Sequence, residues 1–212
     1  MSETTNRYSK QINQLKNEKN LSDADFLSLI ECPDELPELT AAADAVRRKV
    51  YGDAVFLRGL IEFTNVCKNN CYYCGIRCGN DKVERYRLSK EDILSCCDTG
   101  YALGYRTFVL QGGEDPYFKA KRLCDILDGI RSKYPDCMIT LSVGERPRED
   151  YKAFFDAGAG RYLLRHETAT DAHYAKLHPE SMSLAARKSC LFALKEIGYQ
   201  VGAGFKIGRA HV

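Results

Sequence analysis

From about residue 56 onward the chain repeats one unit: a short apolar run, a polar loop and an amphipathic segment. That repeat leaves few folds open. Strand-like runs lie at 55–63, 106–111, 137–143, 161–165 and 199–207. Helical segments separate them. Residues 89–103 open with Ser89-x-x-Asp92 and stop at Gly104. Residues 119–133 put Leu123, Ile126, Leu127 and Ile130 on one face, and 147–157 begin at Pro147 and stop before Gly158. The segment Leu184–Ile197 ends at Gly198. Strands alternating with helices of this length predict parallel βαβ units, an α/β protein. Residues 1–55 read instead as a helical extension, with helix-like spacing at Leu27, Ile30 and residues 36–50, a cap at Ser22-x-x-Asp25, and punctuation at Pro33 and Pro37. The expected boundaries are therefore 1–55 and 56–212.

Polar and glycine-rich phrases gather where each strand ends, which in a parallel barrel is the rim that carries the chemistry. After the first strand comes Phe63-Thr-Asn-Val-Cys-Lys-Asn-Asn-Cys-Tyr-Tyr-Cys-Gly75. Its cysteines, Cys67, Cys71 and Cys74, follow a Cys-x3-Cys-x2-Cys spacing. Three thiolates on one tight loop can hold three irons of a [4Fe–4S] cube and leave the fourth open to a ligand. Tyr73 offers an aromatic face beside them, suited to stacking on a purine. Structural zinc takes four ligands, and only Cys78 stands near enough in sequence to complete such a set, without a second Cys-x-x-Cys pair. Gln111-Gly112-Gly113-Glu114-Asp115 follows the second strand, and its glycines let backbone approach a ligand closely. Glu145 after the third strand could accept hydrogen bonds from a ribose diol, or serve as an N-terminal helix acid before Pro147. Arg165 ends the fourth run, where a guanidinium suits a carboxylate, from Glu167 or from a ligand. His166 and Glu167 are acid–base candidates, while His173 and His178 are expected at the surface. The other cysteines lack ligand spacing and default to core packing.

Composition narrows the class. A chain of 212 residues with net charge +2 and no long basic run gives no footprint for nucleic acid. No apolar stretch approaches the about 18 residues that cross a bilayer. The N-terminus lacks a signal-peptide layout, so ten cysteines suggest reduced thiols in the cytoplasm rather than a disulfide scaffold.

The Cys-x3-Cys-x-aromatic-Cys pattern resembles the signature of the radical S-adenosylmethionine (SAM) enzymes. Arg85-Tyr-Arg, Gln111-Gly-Gly-Glu-Asp-Pro-Tyr117, Leu141-Ser-Val-Gly-Glu-Arg-Pro-Arg148, Arg161-Tyr-Leu-Leu-Arg-His-Glu-Thr168 and Gly198-Tyr-Gln-Val-Gly-Ala-Gly204 are similar to the [FeFe]-hydrogenase maturases of the biotin synthase-like branch. The resemblance, from about 45 to 205, implies a TIM-type (β/α) barrel with a [4Fe–4S] cluster and SAM at one mouth. It implies that Cys67, Cys71 and Cys74 hold the cluster and that Tyr73 meets adenine. By the same likeness Gly112, Gly113 and Glu114 meet the SAM amino group, Glu145 the ribose and Arg165 the carboxylate. The reaction it implies is reductive cleavage of SAM to a 5′-deoxyadenosyl radical. That radical would act on a small organometallic or amino-acid-derived substrate, with a ferredoxin or flavodoxin as electron donor and other hydrogenase maturases as partners.

One departure stands out. Five strands are too few for a closed barrel, which typically takes about 250 residues. After Gly204 the family pattern calls for a Gly-Leu-Pro-Gly-Gln-Thr-like loop, where this chain reads Phe205-Lys-Ile-Gly-Arg-Ala-His-Val212. A partial barrel of about five βα units, cut short at its C-terminus, is the expectation. Biotin synthase-like and methylornithine synthase-like activities remain open as alternatives. So does a non-catalytic Fe–S or zinc module closed by Cys78.

Overall fold

The structure is a computed structural model, and residues 3–32 and 37–205 are described. The chain divides into two compact units, 1–56 and 57–212.

The first unit is helical: α1 (Glu3–Glu18), α2 (Asp23–Ile30) and α3 (Pro37–Tyr51). Pro37 opens α3, where its missing N–H costs nothing. Pro33 lies outside the described residues. The hydroxyl of Ser22 accepts from the Asp25 amide at 3.2 Å, which is the expected N-cap of α2. The Asp25 carboxylate also accepts from Gln11 of α1 at 2.6 Å. Among its described residues, Ile12 and Leu29 are buried apolar side chains.

The second unit alternates β1 (Gly59–Thr64), α4 (Lys90–Ala102), β2 (Thr107–Gly112), α5 (Ala120–Lys133), β3 (Met138–Ser142), α6 (Arg148–Asp156), β4 (Arg161–Leu163), α7 (Asp171–Leu177), α8 (Leu184–Ile197) and β5 (Gln200–Gly202). Among the described residues the strands form one parallel sheet in the order β1-β2-β3-β4-β5, with β1 and β5 at its edges. Local chemistry accounts for the helix ends. Ser89 and Asp92 make a reciprocal capping box at α4, and Gly198 closes α8 at φ 111°. Ile61, Phe63, Phe108, Leu110, Ile139, Leu141 and Tyr162 point from the strands into the helix layer. They meet Ile93, Leu123, Leu127, Phe154 and Leu194 there. Full burial of such a side chain contributes about 1.5–3 kcal/mol.

Three expected boundaries move. The run 55–63 becomes strand only from Gly59, where β1 first finds β2 as a neighbour at Phe108. Val55, Phe56 and Leu57 before it are exposed. The fourth run stops at Leu163 and the fifth at Gly202, and residues 206–207 of the latter lie outside the described part. Helix α7 was not foreseen, because seven residues give too short a stretch for periodicity to show. No helix of the described residues is long and apolar enough to cross a membrane.

Candidate active site at the strand ends

The loop leaving β1 holds little regular structure and is shaped by scattered backbone bonds. The Lys68 amide donates to the Glu114 carbonyl at 3.0 Å, Tyr72 to the Leu177 carbonyl at 2.9 Å, and Cys74 to the Cys71 carbonyl at 3.0 Å. The β2–α5 loop presses directly against it. At Gly113 a Cβ would collide with the Val66 carbonyl and stand 2.7 Å from the Cβ of Cys67, so no side chain fits there. Gly144 turns at φ 75°, and a Cβ there would strike the Glu114 side chain. Glycine thus makes the close approach possible on both sides of Glu114.

Cys67, Cys71 and Cys74 are half-buried and line a cavity of about 370 Å³ at the carboxyl ends of the strands. Tyr73, Gly112, Gly113, Glu114 and Arg165 line it as well. Burial pushes the Cys67 thiol up, and burial together with Cys67 and Cys74 raises Cys71 to about 11. Among the described residues, no three Cys, His, Asp or Glu side chains converge on a single-ion position. Cys78 is exposed and its amide is bonded to the Asn69 carbonyl. Cys67, Cys71 and Cys74 around one cavity suit the corners of a [4Fe–4S] cluster.

The carboxylates divide their work. Glu114 is nearly buried; its Oε1 accepts from the Glu145 amide at 2.9 Å and its Oε2 lies 3.5 Å from Lys68 Nζ. Asp115 is buried and engaged on all sides, by Arg87 at 2.7 and 3.0 Å, by the Thr64 hydroxyl at 2.8 Å and by the Tyr117 amide at 3.0 Å. Burial alone would raise its pKa, but Arg87, the Tyr117 amide and Thr64 more than reverse this and hold it below the usual value. Glu145 stands behind the cavity wall. Burial raises its pKa against the pull of Arg187, whose Nε lies 2.9 Å from its Oε1 without an aligned hydrogen bond.

Two residues escaped the reading of the sequence. Arg187 lies on the buried face of α8 with Leu184 and Leu194, is 6% exposed, and lines the cavity. Its sequence signal was a charge at an apolar-face position, three residues after Leu184 and seven before Leu194. His178, expected at the surface, is 2% exposed. It stacks on Tyr174 with ring centroids 3.8 Å apart and meets Tyr73 edge-on at 5.3 Å. Its Nδ1 is 3.0 Å from the Tyr174 carbonyl, which can only accept, so Nδ1 carries the proton and the neutral ring's Nε2 can accept from the Tyr73 hydroxyl at 3.3 Å. His173, by contrast, is exposed as expected.

Glu167 is the other unusual residue. It adopts φ 67°, left-handed backbone that costs a non-glycine residue about 1 kcal/mol or more. Its Oε1 lies 3.6 Å from half-exposed Arg165, its Oε2 is buried without a hydrogen-bond partner, and the residue lines the cavity. His166 is half-buried beside Phe205.

A parallel α/β sheet with a three-cysteine loop and glycine-lined cavity at its carboxyl edge defines a class, and the family model agrees. The Radical SAM superfamily model matches residues 61–207, and the chain belongs to that superfamily. Membership implies a [4Fe–4S] cluster and SAM as cofactors. Among individual relatives, the chain is 46% identical to the [FeFe] hydrogenase maturase subunit HydE of Thermotoga maritima, over 78% of this chain and 47% of HydE. It is 31% identical to 3-methylornithine synthase of Methanosarcina acetivorans over 89% of this chain and 54% of that protein. The solved structure of methylornithine synthase (PylB) superposes with a TM-score of 0.82 at 29% identity, covering 92% of this chain and 58% of that one. The hydrogenase maturase HydG shares the fold, with a TM-score of 0.80 at 23% identity over 94% of this chain and 46% of HydG. The chain spans about half the length of the curated relatives it matches.

Proposed function

We propose that the chain is the cluster- and SAM-binding part of a radical SAM enzyme of the hydrogenase-maturase type, acting on a small molecule on the way to the [FeFe]-hydrogenase H-cluster. The observation that carries this is the meeting of Cys67, Cys71, Cys74, Gly113, Glu114 and Arg187 on one cavity. The 46% identity to HydE favours that type over the methylornithine synthase type at 31%. When bound, the cluster and SAM supply reductive cleavage of SAM to a 5′-deoxyadenosyl radical.

The protein's part is to hold and orient. Cys67, Cys71 and Cys74 would hold the cluster. Gly112 and Gly113 bring backbone to the SAM amino group, with Glu114 as its acid. Tyr73, whose hydroxyl lies 3.3 Å from His178 Nε2, would meet the adenine. The carboxylate is better served by Arg187 than by Arg165, since of the two guanidinium groups lining the cavity Arg187 is the buried one. Glu167 is a better ribose acceptor than Glu145, because Glu167 lines the cavity while Glu145 does not and lies 2.9 Å from Arg187. Residues 1–55 form a helical extension of the barrel domain that begins at 56. A ferredoxin or flavodoxin donor and other hydrogenase maturases, in the cytoplasm, complete this reading.

A methylornithine synthase-like substrate is the second reading, supported by the TM-score of 0.82 and the longer alignment. The test is anaerobic reconstitution with iron and sulfide, reduction, addition of SAM and assay of 5′-deoxyadenosine. Wild type forms it and Cys71→Ala does not. A cluster that responds to SAM without product means the rest of the protein is required. Zinc in place of iron, or a spectrum indifferent to SAM, overturns the proposal in favour of a metal-binding module.

A further inference from the structure

Past the cysteines the chain returns to β1. Residues 84–88 run antiparallel across its end, with Arg87 bridged to Thr64 and the Leu88 amide donating to the Phe63 carbonyl at 2.8 Å. In the middle of this return sits Arg85. Its Nη1 donates to the carbonyls of Asn65 at 2.6 Å and Ile76 at 2.9 Å, and its Nη2 to those of Arg77 at 2.8 Å and Asn80 at 3.0 Å. Asn65 answers from the other side. Its Nδ2 donates to the Glu84 carbonyl at 2.7 Å and its Oδ1 accepts from the Tyr86 amide at 2.8 Å, so it grips the backbone on both sides of Arg85.

The position of these contacts is what matters. Asn65 lies two residues before Cys67 and Ile76 two residues after Cys74. One guanidinium therefore ties the entry of the cysteine loop to its exit. The loop adds a cross-tie of its own from the Cys78 amide to the Asn69 carbonyl at 2.9 Å, and the Arg77 carbonyl also accepts from the Asn80 amide at 3.0 Å, but Arg85 is the side chain that joins the carbonyls of Asn65 and Ile76. A guanidinium offers five N–H donors in a rigid plane and can span carbonyls that an ammonium, a single point donor, cannot.

We propose that Arg85 and Asn65 form a reciprocal lock that sets the shape of the cysteine loop before the cluster arrives. They are positioning residues for Cys67, Cys71 and Cys74, acting through the backbone and not by ligation. This rests on the reading that those cysteines hold a cluster.

The experiment compares wild type with Arg85→Lys, Arg85→Gln and Asn65→Asp, and with Arg106→Gln as a control away from the loop. Hydrogen exchange of the chain kept anaerobic and free of iron is measured first, then iron and sulfide uptake and the electron paramagnetic resonance of the reduced cluster. In both Arg85 variants the amides of residues 65–80 exchange faster by about tenfold, the change one hydrogen bond makes to a local opening equilibrium, while strand amides do not move. Cluster uptake falls and the resonance of what remains shifts. Asn65→Asp, which keeps the acceptor for the Tyr86 amide but sets a carboxylate oxygen against the Glu84 carbonyl, speeds exchange over the same residues. Rescue by Arg85→Lys, unchanged exchange in 65–80, or faster exchange throughout the sheet would each overturn the lock. If wild type itself takes up no cluster, the proposed function fails while the exchange comparison still decides on the lock.

Discussion

The two faces of the sheet are built from the same strands and differ in chemistry. On β1 to β3, Ile61, Phe63, Phe108, Leu110, Ile139 and Leu141 turn toward the helices and are buried. The residues between them, Leu60 and Glu62, Val109 and Gln111, Thr140 and Ser142, turn the other way, because successive side chains alternate across a strand. There Gln111 donates to Glu62 at 3.1 Å, and Glu62, Gln111 and Ser142 line the cavity that also holds the cysteines. The interior of a packed barrel is dominated by bulky branched side chains. Polar residues in that layer mark a space kept for a guest. One face holds the fold together and the other is left free for chemistry.

That contrast can be broken. The largest effect belongs to the helix side: Leu110→Ala should cost about 3 kcal/mol in denaturant unfolding of the cluster-free chain. Next comes the contact between loops. Gly113→Ala forces a methyl onto the Val66 carbonyl and Cys67, and should cost about 1–3 kcal/mol while also depressing iron uptake. An alanine there with full cluster content would show that the β2 loop does not shape the cysteine loop.

Asp115→Asn should cost about 1 kcal/mol at neutral pH, since the buried carboxylate loses its charge toward Arg87 and Thr64. Its pKa is lowered in the folded chain from 3.8, so the stability it contributes is present above that value and lost as pH falls through the folded pKa. The gap between wild type and Asp115→Asn should accordingly close on acidification, and a gap that persisted in acid would refute the assignment. Gln111→Ala, on the cavity side next to Leu110, should change stability by less than about 0.5 kcal/mol. Equal costs at 110 and 111 would mean the two faces are not distinct.

Much of this was legible in the sequence, for identifiable reasons. Ser89-x-x-Asp92, Gly198 and the four apolar residues of 119–133 act through neighbours within a turn, so α4, α5, α6 and α8 stood close to their expected limits. The cysteines of the β1 loop and Gly112, Gly113 and Glu114 of the β2 loop were expected at one rim, and one cavity takes them in. Arg187 and His178 were not legible as site residues. Each takes its environment from residues far away in the chain, Arg187 from Glu145 and His178 from Tyr73.

By itself, then, the sequence determined the strands and the longer helices of the second unit, their parallel arrangement and the kind of chemistry at the first loop, because periodicity, capping and thiol spacing are short-range properties. Only the tertiary structure decided where β1 starts, that Arg85 and Asn65 lock the loop, and that a strained Glu167 and a buried Arg187 reach the same cavity. Those outcomes depend on which strand ends meet, and burial or a charge partner exists only once residues distant in sequence have been brought into contact.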